Sequence, residues 1–77
     1  MQQHRVHVVR ILDRTGDTKL TYDPADATAV RDIEVRFARL MDGNFTAFDV
    51  SEHPGRIITA FDPAASEIII SPRFAGG

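Results

Sequence analysis

The residues of this chain with the plainest chemical potential are its last three, Ala75-Gly76-Gly77. Two successive residues without a Cβ let a backbone enter a channel too narrow for side chains, and what they can bring into it is a terminal carboxylate. A carboxylate is a poor acyl donor because its oxygen is a poor leaving group, so it reacts only after activation. A side chain at 76 or 77 would collide with such a channel or misplace the acyl carbon, and a displacement of ~1 Å can cost on the order of 10²-fold in rate. Arg73 and Phe74 stand just before these residues, a charged and an apolar handle. Lys19, the only lysine, offers the one side-chain amine and is a candidate acceptor for an acyl group.

Other arrangements of reactive residues are weaker. His4, His7 and His53 are scattered, and His4 and His7 would face opposite sides of a strand, so no metal site is expected. Asp13, Asp17, Asp23 and Asp26 lack the loop spacing of an EF-hand and suit turns and helix caps better. Ser51, Ser66 and Ser71 sit in no nucleophile elbow, and there is no glycine-rich phosphate loop. The chain has no cysteine, which removes disulfides, thiolate metal sites and cysteine nucleophiles and fits a reducing cytoplasm. No catalytic residue is expected: the chain does not read as an enzyme and calls for no cofactor of its own.

Charge and hydropathy exclude further classes. Nine basic and eleven acidic residues are interspersed for a net charge of −2, so no basic field exists to hold a phosphate backbone and no nucleic-acid partner is expected. No run approaches the about 18 apolar residues of a membrane span. Met1-Gln2-Gln3-His4-Arg5 leads straight into Val6 and His7 without the apolar stretch of a secretory signal.

The elements that must position the ending follow from periodicity. Residues 5–12, rich in β-branched side chains, read as a strand buried on most of both faces. Gly16 among polar residues signals a hairpin, and Thr18, Leu20 and Tyr22 alternate with Lys19 and Thr21 as a second strand. Asp23-Pro24 reads as a helix start, with the Asp capping and the Pro at the first helical position. Val30, Ile33, Phe37, Leu40 and Met41 form one apolar stripe, Asp32 and Arg36 lie one turn apart on the outer side, and Gly43 supplies the stop. The predicted helix covers 25–42. Three more strands are expected at 45–50, 56–61 and 67–71. Beyond Ser71 periodicity ends, and Pro72, which has no N–H for a ladder, opens a projecting tail. The expected division is a domain over 1–71 and a tail over 72–77.

The order strand, strand, helix, strand, strand, strand matches an α+β fold of the β-grasp kind: a mixed sheet of about five strands, one helix on one face, first and last strands adjacent and parallel. With the terminal Gly76-Gly77, this order and length resemble the ubiquitin superfamily, including prokaryotic ubiquitin-like modifiers and the sulfur carriers of molybdopterin and thiamine synthesis. Gly77, Gly76 and Arg73 stand where ubiquitin has two glycines and an arginine, and Pro72, Ala75, Gly76 and Gly77 match the Pro-x-x-Ala-Gly-Gly ending of the molybdopterin-synthase small subunit. The segment from Asp13 to Pro24 has no counterpart in either. The resemblance implies a bacterial, cytoplasmic protein modifier, adenylated at Gly77 by an ATP-using activating enzyme and conjugated to a target. A conjugating enzyme and a deconjugating metalloprotease would be its further partners. The alternatives it leaves are a sulfur carrier bearing a C-terminal thiocarboxylate and a binding or self-assembly module that is never activated.

Overall fold

The computed structural model describes residues 6–13 and 16–73. Its elements are β1 (His7–Asp13), β2 (Gly16–Tyr22), α1 (Ala27–Asp42), β3 (Phe45–Asp49), β4 (Arg56–Ile58) and β5 (Glu67–Pro72). They make a five-stranded mixed sheet in the order β2-β1-β5-β3-β4. β1 and β5 run parallel, Val9 beside Ile68 and Ile11 beside Ile70, and every other pairing is antiparallel. The expected sequence of elements and the adjacency of first and last strands are both observed.

One face of the sheet is the core. Val9 and Ile11 of β1, Ile68 and Ile70 of β5 and Ala47 of β3 share it, and all are buried. α1 lies over them with Phe37 at the centre, while Val30, Ile33, Leu40 and Met41 pack at partial exposure. The helical period thus identified the buried stripe correctly, and Asp32 and Arg36 are exposed as expected. Phe61 closes the core from the β4–β5 connection, its ring 5.8 Å from that of Phe37 and 6.0 Å from that of Tyr22.

Several boundaries differ from expectation. The helix cap is Asp26, not Asp23: Asp26 holds an extended backbone and its carboxylate accepts the Thr28 and Ala29 N–H groups. Asp23 instead accepts from Ala25 N at 2.8 Å, and its carbonyl takes the Asp26 N–H, so Pro24 belongs to a turn before the helix. At the other end Gly43 is the cap residue, with its N–H on Leu40 O, but the left-handed position is Asn44, at φ 72°. Asn tolerates that region better than most residues. Gly16, at φ 131°, does need glycine's freedom where β2 begins.

β1 is not buried on both faces. His7, Val9 and Ile11 point into the core, Val8 and Arg10 are half-buried on the other side, and Leu12 is exposed. β4 ends at Ile58 instead of continuing to 61, because the chain turns inward there to deliver Phe61 to the aromatic cluster. β5 continues one residue further than expected, with Pro72 opposite Phe45.

Candidate functional site: the end of the central strand and the outer sheet face

Pro72 fits a ladder for a geometric reason. In an antiparallel pair, neighbouring residues alternate between hydrogen-bonded and non-bonded positions. Arg73 N–H donates to Asn44 O at 3.0 Å, so the Pro72 nitrogen must point away from β3. It points to the β1 side, where pairing has already ended at Ile11 and Ile70. Proline therefore forfeits no ladder bond and ends the strand without breaking it. β5 is the middle strand, and its end lies at the centre of the sheet with Arg73 fixed to the residue before β3. Arg73 is exposed. Phe74, Ala75, Gly76 and Gly77 lie outside the described residues.

The sheet face away from the helix carries a feature that sequence reasoning missed. The register aligns Lys19, Arg10, Ile69, Phe48 and Ile57 in one row across all five strands. Ile69 and Phe48 are half-buried and Ile57 is 66% exposed. With Leu12 also exposed, an apolar strip crosses the face. Its cationic side starts at Arg10, whose Nε lies 3.3 Å from Glu67 Oε2, an ion pair without hydrogen-bond alignment. Lys19 is exposed beyond it on β2, an edge strand, and accessible in the way an acceptor amine must be. The strip was hidden because alternation marks two faces of each strand, while only the register shows which outward residues meet.

The opposite pole of the sheet, where β5 begins, is polar and tightly tied. Asp49 is buried at the end of β3 and accepts from Ser51 Oγ at 2.6 Å and Ser51 N at 2.9 Å. These bonds hold the Asp49 carboxyl below its ordinary range against the opposing effect of burial, with a smaller contribution from Arg56 at 3.7 Å. Ser51 Oγ in turn accepts from Ser66 N at 2.8 Å and Glu67 N at 3.3 Å, so one hydroxyl ties the β3–β4 loop to the start of β5.

His7 is buried with Nδ1 3.0 Å from Pro63 O, and since a carbonyl only accepts, Nδ1 is the protonated nitrogen. Its ring meets Tyr22 edge-on at 5.6 Å. His7 is thus a core residue. His53 is exposed on the 51–55 loop and His4 lies outside the described residues. Among the described residues no group of His, Asp or Glu is placed to hold a metal ion, and no helix is long and apolar enough to cross a membrane. Asp17, Asp23 and Asp26 are dispersed over the hairpin, a turn and the helix cap. No family model, curated protein or solved structure matches this chain.

Proposed function

We propose that this chain is a β-grasp protein of the ubiquitin-like kind that works by presenting the Gly77 carboxylate to an activating enzyme. The feature that carries this reading is the position of β5. β5 is flanked by a strand on each side and ends on an Arg73 anchored to Asn44 O, so residues 74–77 follow from a fixed base, which is the arrangement a tail needs if its end must reach a fixed catalytic centre. The order β2-β1-β5-β3-β4 with one crossing helix supports the fold assignment.

In the proposed reaction a Gly77 carboxylate oxygen attacks the α-phosphorus of ATP, forming an acyl-adenylate and releasing pyrophosphate. A target amine then forms an amide with the acyl carbon and AMP leaves. Arg73, Phe74 and Ala75 give the enzyme its hold on the tail, and Gly76 and Gly77 pass into its channel. The apolar strip on the outer face, Phe48, Ile57 and Ile69, supplies the broader docking surface. Lys19 or the N-terminal amine is the acceptor if the protein links to copies of itself. Conjugating and deconjugating enzymes follow as further partners.

The ending Pro72-x-x-Ala75-Gly76-Gly77 favours a second reading, in which sulfide displaces AMP and leaves a thiocarboxylate for transfer to a cofactor precursor. Incubation with ATP and the cognate activating enzyme tests both. Pyrophosphate exchange should depend on Gly77, and deleting Gly77 or making Gly76→Val should abolish it with the fold intact, because a β-branched residue stiffens the backbone and fills the channel. Intact mass then separates the outcomes: exchange of one oxygen for sulfur marks the carrier, and an adduct of protein size marks the modifier. Both readings require a free Gly77 carboxylate in the working protein, which the intact mass of protein purified from its own cells reports. If Gly77 deletion leaves the biological activity unchanged, both fall and a binding or self-assembly module remains.

A further inference from the structure

A groove of about 440 Å³ opens between the last turn of α1 and the start of β3. It exists because β4 pairs with β3 only over Ala47–Asp49, so Phe45 and Thr46 have β5 on one side and no strand on the other. Met41, Phe45, Ala47 and Ile58 give it an apolar floor, and Asp42 and Arg73 stand at its walls. Met41, Phe45 and Ile58 pack against the core yet stay only half-buried. Their outer surfaces form apolar area that burial would stabilise, at about 25 cal/mol per Å².

We propose that in the free protein the ring of Phe74 from the same chain seats in this groove, over Met41, Phe45 and Ile58, and must leave it before an enzyme can hold Arg73, Phe74 and Ala75 together. Position supports it: Phe45 of the groove floor lies directly opposite Pro72, the last residue of β5 and two before Phe74 in the chain. Reach supports it as well. Arg73 walls the groove and its N–H is fixed on Asn44 O, while Phe74 lies one Cα step, about 3.8 Å, further on. Chemistry selects the residue, since Ala75, Gly76 and Gly77 carry at most a methyl group. The meaning of the contact rests on the proposed function. The contact itself does not.

Isotope-labelled full-length protein tests it directly. Nuclear Overhauser contacts from the Phe74 ring to the methyl groups of Met41 and Ile58 are expected, unchanged in relative intensity on tenfold dilution. Phe74→Ala should shift those methyl resonances and leave those of Val9 and Ile68 in place, and Phe74→Leu should restore most of the shift. Absent contacts overturn the proposal. Contacts that weaken on dilution also overturn it, by assigning the groove to the tail of a second copy. Adenylation of Gly77 without the Phe74 contacts would sink this inference and spare the proposed function, and contacts without adenylation would do the reverse.

Discussion

Tyr22 is the one tyrosine in a chain without tryptophan, so its ionisation can be followed by absorbance without interference. Its hydroxyl is buried with no hydrogen-bond partner among the described residues, and burial, with a smaller effect from the Asp62 charge, raises its pKa. The phenolate should appear with a midpoint above the about 10 of a solvated tyrosine. Because the folded state keeps a proton that the unfolded chain has released, stability should fall as pH rises beyond that unfolded value. A midpoint at or below the ordinary value would mean that the hydroxyl reaches solvent. Asp49 has the opposite sign: its lowered pKa makes its contribution complete above the unfolded carboxyl range and lost as acid carries the pH down through the folded value. Tyr22 was legible in sequence, since alternation with Lys19 and Thr21 turned it inward. The role of Asp49 was not. The alternation of 45–49 brings a carboxylate to the buried face, and the Ser66 and Glu67 N–H groups that complete its network with Ser51 lie fifteen or more positions away from that serine.

At the scale of elements, α1 is held to the sheet chiefly through Phe37, which is 3% exposed and faces Phe61. Phe37→Ala should cost about 3–5 kcal/mol, a large share of the about 5–15 kcal/mol of an ordinary domain. Urea denaturation would show it as a lower midpoint at similar slope, or as a chain already unfolded in buffer. A loss under about 1 kcal/mol would mean that the groups around Phe37 do not form the core described. The helix was legible because five apolar residues hold one face over three turns. Its first residue was less so, since Asp23 and Asp26 are both competent caps, and only the Asp23–Ala25 turn decides between them. Strand ends were the least legible. β4 stops where Phe61 is required elsewhere, and β5 passes through Pro72 because the β1 side of the ladder is already open there. Both facts depend on neighbours that no local pattern displays.

For the molecule as a whole, the outer strip predicts a separation of stability from recognition. Ile57→Asp places a charge at a 66% exposed position and should change folding stability by no more than about 0.5 kcal/mol. If the strip docks the activating enzyme, kcat/KM for adenylation should fall about tenfold or more, since ~1.4 kcal/mol corresponds to each factor of ten. An unchanged kcat/KM would move the docking surface off this face.

The parallel pairing of β1 with β5 also decides how the protein bears tension. Pulled apart at Val6 and Arg73, the two strands are drawn past each other along their length, and the contacts joining Val8–Ile11 to Glu67–Ile70 are strained together. None can yield before the rest. A pull on Lys19 acts differently, because β2 is bonded on one side only and can be peeled from β1 rung by rung. A machine hauling on this domain would therefore find it stiff when gripped through the end of β5 and compliant when gripped through Lys19, so the point of attachment would govern how readily it is dismantled.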